Sequence, residues 1–470
     1  MVKTAVKKAD RPTNTVEIDR RGLTSSHNRL ANSITNSVRD HIKLFPAIDS
    51  HYCRKNSKRR YLAADLNVTK MYELYKTYCT EKSLEPAKLS KYRSIFNSEF
   101  NLTFFKPKKD QCDLCERFKN SEKSTEMVAI LEEHELSKIA ARNAKEDAKI
   151  RAREENNFCA AVFDLQQVLQ TPHAEISQLY YRRKYSSYNL SVYDFKYRNG
   201  FCYMWTENDG QRGSNEVASC VYKFILHNVN ENNINEFCFF SDNCGGQNLN
   251  RNIVAMYIHA AVNYKVTIMH CFLEKGHTQN EGDSIHSAVE SASRNINIYS
   301  PVQWYTLVRT ARRKNPYHVI EMKDQFQDFL QFRNATMNDL NKHADNTRVK
   351  WQKIRVIKAE AGNNEEIFVK YKYSDDFQGI PIRNKPARKN SKRSLSNIKN
   401  YPLQNPYSDD DPRLYITQEK YKDLTDLCKL CIIPSEYHDF YFNLKHYDSK
   451  KDNKLTNVDE EIIFYDEEGL

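Results

Sequence analysis

Apolar side chains recur at every fourth position through Leu30, Ile34, Val38 and Ile42, a spacing that predicts a helix from Ser25 to Leu44 with one inward face. Two more helices are predicted. One runs from Val68 to about Thr80, with Met71, Leu74, Tyr75 and Tyr78 on one side. The other, opened by Pro86, runs from Lys88 to about Phe100 and carries Leu89, Tyr92, Ile95 and Phe96. A long charged helix is then predicted from Ser121 to about Glu155. Its apolar patch, Ile130, Leu131, Leu136 and Ile139, sits in the first half, while the second half is mostly Ala, Lys, Arg and Glu. So short a stripe suits a helix connecting two domains better than a coiled coil.

From Asn157 the period changes. Phe158 to Leu169 is a continuous apolar run that predicts a buried strand, and Leu190 to Arg198 alternates as a second. Phe201 to Glu207 follows across Asn199-Gly200, a strong hairpin signal. Next come a helix from Ser214 to about Val229, a strand from Glu236 to Ser241 and a helix from Leu249 to about Asn263. A fifth strand, Val266 to Leu273, precedes a helix from Gly282 to Arg294. Three antiparallel strands followed by alternating helix and strand is the order of an RNase H-like α/β fold with a mixed sheet, because helical crossovers force the later strands to run parallel. Helices are predicted to continue from Pro301 to about Leu340.

The chain is therefore expected to divide into a basic disordered tail at 1–24 and a helical, zinc-binding domain at 25–120, either a DNA-binding unit or a plain helical scaffold. A connecting helix at 121–156 leads to an RNase H-like core at 157–335. An irregular basic region at 336–400 and C-terminal helices with an acidic tail at 401–470 complete it. At 470 residues, several domains are expected. A mean hydropathy of −0.78 and no apolar run near the roughly 20 residues needed to cross a bilayer predict a soluble protein. The first ten residues lack the apolar segment of a secretory signal. A net charge of +11 favours polyanionic partners. The basic stretch from Arg383 to Arg393 reads as a linker suited to nuclear import or DNA-backbone contact. Twelve cysteines without a secretory start point to thiols and metal ligands rather than a disulfide framework.

Three carboxylates stand at strand or helix ends in the predicted core: Asp164, Asp242 and Asp283. Asp164 interrupts a buried strand, where an unpaired carboxylate is unfavourable. In the predicted fold, the strands of Asp164 and Asp242 are neighbours. Four of the chain's 11 glycines, Gly245, Gly246, Gly276 and Gly282, crowd the same interval, as tight turns beside a ligand would require. Asp283, His286 and Glu290 share one helical face, with Ile285, Val289 and Ala292 opposite. Glu281 is the substitute for Asp283, and His277 and His286 are candidates to position water or phosphate. Three converging carboxylates can hold two Mg2+ or Mn2+ ions for in-line displacement at phosphorus.

A second constellation is Cys112-Asp113-Leu114-Cys115, the spacing at which two thiolates grip one tetrahedral ion. His51 and Cys53, two apart on an extended segment, are the expected partners, with Cys79 in reserve. Such a structural Zn2+ site would staple the small helical domain. Cys428 and Cys431 repeat the spacing between apolar neighbours and are expected to pack at a helix end.

The segments Ser50-His51-Tyr52-Cys53-Arg54, Arg212-Gly213-Ser214-Asn215-Glu216, Ser241-Asp242-Asn243-Cys244-Gly245-Gly246-Gln247-Asn248 and Lys275-Gly276-His277-Thr278-Gln279, followed by Asp283-Ser284-Ile285-His286, resemble a group of transposon-derived animal proteins. That group looks like transposases of the Asp-Asp-Asp/Glu type. The resemblance runs from about Arg39 to Phe442. It implies DNA cutting and joining at Asp164, Asp242 and Asp283 by a nuclear protein able to self-associate. Two alternatives are a catalytically silent DNA-binding regulator on the same scaffold and a zinc-stabilised protein-interaction module.

Overall fold

The structure is a computed structural model. It describes residues 31–45, 48–49, 60–62, 66–104, 112–120, 124–174, 176, 178–179, 182–274, 276–277, 280–383 and 396–447. The tail at 1–24, the His51 and Cys53 pair, nearly all of the basic stretch to Arg393 and the acidic tail lie outside the described residues. The chain forms two compact units, Met1–Lys109 and Asp110–Leu470. The boundary thus falls before Cys112, and both expected zinc thiols belong to the second unit.

In the first unit the predicted helices are present as α1 (Asn32–Lys43), α2 (Val68–Glu81) and α3 (Leu89–Glu99). Their inward positions, Val38, Ile42, Met71, Tyr75, Tyr92, Ile95 and Phe96, make one core. His41 is enclosed there, its Nδ1 2.9 Å from the Tyr92 hydroxyl, and burial lowers its pKa to about 4. A small sheet joins the helices: β1 (Ile48–Asp49) runs antiparallel to β2 (Arg60–Leu62), which is parallel to β3 (Leu102–Phe104). Strands of two or three residues are too short to show a period. Cys79 is packed in the core at 1% exposure, which removes it as a ligand in reserve.

The second unit opens with α4 (Asp113–Asn120) and the 30-residue α5 (Thr125–Glu154), whose N-cap Ser124 Oγ accepts from the Met127 amide. Next come β4 (Phe158–Leu165), β5 (Leu169–Thr171), β6 (Tyr185–Asp194) and β7 (Gly200–Thr206). Helix and strand then alternate through α6 (Ser214–Asn232), β8 (Glu236–Ser241), α7 (Arg251–Tyr264) and β9 (Thr267–Phe272). After them stand α8 (Gly282–Ser293), α9 (Pro301–Thr310), β10 (His318–Glu321) and α10 (Phe329–Thr336). Three short strands follow, β11 (Val356–Ala359), β12 (Glu366–Lys370) and β13 (Gln378–Pro381). The last elements are β14 (Ile416–Thr417), α11 (Gln418–Lys429), α12 (His438–Phe442) and β15 (His446–Tyr447).

The central sheet is mixed, in the order β10-β7-β6-β4-β8-β9-β11-β12-β13, with β5 paired to β6. β4 is antiparallel to β6 and parallel to β8, and β8 is parallel to β9. Because β4 lies between covered faces, it is buried almost throughout and shows no alternation. One face carries α6, α7 and α10, packed on Ala161, Phe163, Phe237 and Phe239. The other carries the second half of α5, on Ala160, Val162, Cys238 and Phe240, and α8 and α9, on Cys202 and Met204.

Several expectations need correction. The contact face of α5 is Ala141, Ala148 and Ala152, whereas Ile130, Leu136 and Ile139 are exposed. Alanine lets a helix backbone come close to a sheet, so α5 is a layer of the fold and more than a connector. The stretch after Pro301 is not all helix, since β10 extends one sheet edge. The region at 336–400 is not irregular, since β11, β12 and β13 extend the other. Cys428 is buried in α11 as expected, but Cys431 is exposed.

Candidate functional site

Register brings the first two carboxylates level. Val162 pairs with Phe240 across parallel β4 and β8. Two residues further on lie Asp164, still in β4, and Asp242, just past the end of β8, on the face that α5 covers by the strands' alternation. Open α/β sheets bind ligands at the carboxyl ends of parallel strands, and both residues stand there. Asp283 enters from α8, whose Ile285 and Val289 are buried against the sheet and whose Asp283 is exposed. Asp164, Asp283 and His286 each offer a ligand atom, all within 4.8 Å of one another, so these three can hold one cation. Asp242 is outside that triplet but near enough for its charge to act on Asp164.

Electrostatics mark Asp164 as the centre. Burial first, then the charges of Asp242 and Asp283, raise its pKa to about 7, against the lowering effect of the Leu165 amide and the Arg212 guanidinium. The Leu165 N–H donates to Asp164 Oδ1 at 2.9 Å. Beside it, Ser191 Oγ donates to the Asp164 carbonyl at 3.3 Å and lies 2.7 Å from His286 Nε2. Burial lowers the His286 pKa to about 4, so the ring is neutral near pH 7, as a metal ligand must be. Asp242 is fixed by the Cys244 amide at 3.2 Å and by the Asn248 side-chain amide, both donating to Oδ1.

The glycines divide. Gly282 starts α8 in a tight place, where a Cβ would come within 3.0 Å of Asn280 Oδ1 and 3.5 Å of Ser191 Oγ, and Gly276 has a φ of 75°. Gly246 has open space around it and Gly245 nearly so, so packing among the described residues does not explain glycine there.

Glu281 is committed elsewhere. Its carboxylate pairs with Lys145 at 2.5 Å and Lys149 at 2.7 Å, both on α5. It therefore does not stand in for Asp283. His277 has also left the acidic cluster, with Nε2 3.3 Å from Cys115 Sγ. Cys112 Sγ lies 3.4 Å from His134 Nε2, and Cys112, Cys115, His134 and His277 all place ligand atoms within 4.8 Å of one another. The expected partners His51 and Cys53 lie outside the described residues. Burial and the neighbouring Cys112 push the Cys115 thiol up to about 11, and burial with nearby Lys138 and His134 lowers His277.

Residues 192–371 match the model of a domain of unknown function, DUF7869. No curated protein matches the chain. The matched segment holds Arg212, Asp242, His277, Asp283 and His286, while Asp164, Cys112, Cys115 and His134 precede it.

Four contributors had no role assigned from the sequence. His134 sits in a charged helix with no partner at ligand spacing. Ser191 is one polar residue in an alternating strand, and its role follows only from its pairing with Asp164. Arg212 and Asn248 fell within the quoted motifs without an assigned role.

Proposed function

We propose that this protein is a transposase-like enzyme that cuts and joins double-stranded DNA by divalent-metal-dependent phosphoryl transfer at Asp164, Asp242 and Asp283. The observation that carries this is Asp164. Its carboxylate, at the end of a central strand, is raised to about 7 by burial and two neighbouring carboxylates, an electrostatic strain that bound cations relieve. Structural ion pairs give carboxylates the opposite shift. The strand order β7-β6-β4-β8-β9, with β4 antiparallel to β6 and parallel to β8, supports an RNase H-like core.

The residues present fit one ion directly, and a second is part of the proposal. Asp164, Asp283 and His286 suit one, and Asp164 with Asp242 a second. Bound Mg2+ or Mn2+ would supply activation of a water or DNA 3′-hydroxyl and stabilisation of the leaving oxygen. The chain's own part is positioning. Asn248 and the Cys244 amide orient Asp242, Ser191 orients His286, and exposed Arg212 offers a guanidinium to a phosphate. Action on DNA places the protein in the nucleus, with the basic stretch after Arg383 as the import segment, and self-association would bring two DNA ends together.

The test is a nicking and strand-transfer assay in Mn2+ with duplex DNA, comparing wild type with Asp242→Ala. Cleavage by wild type, with loss of about 100-fold or more in the variant, is expected. Equal activity in both, or none in either, refutes the enzyme and leaves a DNA-binding regulator.

A further inference from the structure

We propose that Cys112, Cys115, His134 and His277 bind a single Zn2+ ion that fastens the loop leading into α8 to α5, and so fixes where Asp283 stands. The ligand set and its task follow from geometry, independently of whether the acidic cluster performs phosphoryl transfer.

Four side chains from three separate segments converge here: the CxxC pair at the start of α4, His134 within α5, and His277 in the loop between β9 and α8. Cys115 and His277 are 162 residues apart in sequence. In tetrahedral zinc, with bonds of about 2.3 Å to sulfur and about 2.0–2.1 Å to nitrogen, neighbouring ligand atoms lie about 3.3–3.8 Å apart. The observed sulfur–nitrogen separations of 3.3 and 3.4 Å sit at the near edge of that range. Each pair joins a thiol to an imidazole Nε2, the soft and borderline donors that zinc prefers. Both cysteines are free of disulfides, and all four residues are partly buried, so a cation would be shielded without being cut off from solution. Four ligands complete the tetrahedron, which makes the site structural rather than catalytic.

The loop after β9 already has two other ties to α5. Ser137 Oγ donates to Glu274 Oε1 at 2.6 Å where the loop begins. Lys145 and Lys149 hold Glu281 where it ends. His277 lies between these ties, and Asp283 follows two residues after Glu281. Single hydrogen bonds and ion pairs break and re-form readily, whereas a zinc–imidazole bond fixes a backbone position far more firmly. His277 is thus a positioning residue for Asp283.

The experiment uses the full chain. Metal analysis of protein purified without added chelator is expected to give one zinc per chain. Replacement by Co2+ should give tetrahedral d–d bands and thiolate-to-cobalt charge transfer, the spectrum of a two-thiolate site. His277→Ala and His134→Ala should each lose the zinc and raise amide hydrogen exchange across residues 276–286 by tenfold or more. His277→Cys should restore both zinc and protection and strengthen the charge-transfer band, showing that the chain still folds when this position is changed. Wild-type zinc content or an unaltered cobalt spectrum in His277→Ala overturns the ligand set. Loss of zinc with unchanged exchange at 276–286 overturns the positioning role. A nicking-inactive wild type with full zinc and full protection would refute phosphoryl transfer and leave this site standing.

Discussion

Asp164 and His286 lie together, yet their environments move them in opposite directions along the pH scale. Burial lowers His286, while burial and two like charges raise Asp164 to about 7 from an unfolded value near 3.9. A carboxylate raised on folding binds its proton more tightly in the native state. Its neutral form is therefore tolerated at low pH, and stability is lost as pH rises from about 4 through 7. Asp164→Asn should remove that loss. In chelator it is expected to be more stable than wild type by roughly 2 kcal/mol at pH 8, allowing for solvent screening, and nearly equal at pH 4, by urea unfolding across pH. Millimolar Mg2+ should raise the wild-type melting temperature at pH 8 and leave Asp164→Asn unmoved, because ligand binding to the native state alone is stabilising. A variant less stable than wild type at pH 8 without metal would show that Asp164 is not electrostatically strained. This residue was legible in the sequence as a charge interrupting an apolar strand. His134 was not, because a histidine among glutamates on a helix gives no sign of a thiol arriving from another helix.

At the level of elements, α5 and the strands after Thr336 depart furthest from expectation. Apolar spacing in α5 drew attention to Ile130, Leu136 and Ile139, which are exposed, and away from Ala141, Ala148 and Ala152, which touch the sheet. Hydrophobic size is a poor guide where the contact depends on closeness. Ala152 is fully buried in that layer, so Ala152→Leu must push the helix outward. A destabilisation of about 1–3 kcal/mol is expected by chemical denaturation, while Ile139→Ala on the exposed side should change stability little. β11, β12 and β13 are four or five residues long, and their apolar positions are separated by charged loops. A stretch so short carries little periodic signal, and pairing with β9 is what makes it a strand. The long strands and helices between Phe158 and Ser293 were legible because each repeats its period several times.

Over the whole molecule, the two units bear on where a metal could be held. All the proposed ligands fall after Lys109. A fragment of residues 110–470 is expected to fold cooperatively and keep its zinc, measured by metal content and calorimetry. A fragment that needs the first 109 residues to bind zinc would restore a role for His51 or Cys53. The net charge of +11 predicts that duplex affinity falls linearly with the logarithm of salt concentration. Titrations between low and physiological salt check this, and no retention on DNA at low salt would favour a protein-interaction module.

The sequence by itself determined the α/β class of the central region, the order of its main strands and helices, and the presence of carboxylates at Asp164, Asp242 and Asp283. Those features depend on local periodicity, or on one polar residue in an apolar run, and both are written in neighbouring positions. The tertiary structure decided that Glu281 belongs to two lysines, that His277 and His134 belong to Cys112 and Cys115, and that small alanines form the face of α5. It also decided that three late strands complete the sheet. Such pairings join residues from separate segments of the chain, and their partners are set by packing and register rather than by spacing in sequence.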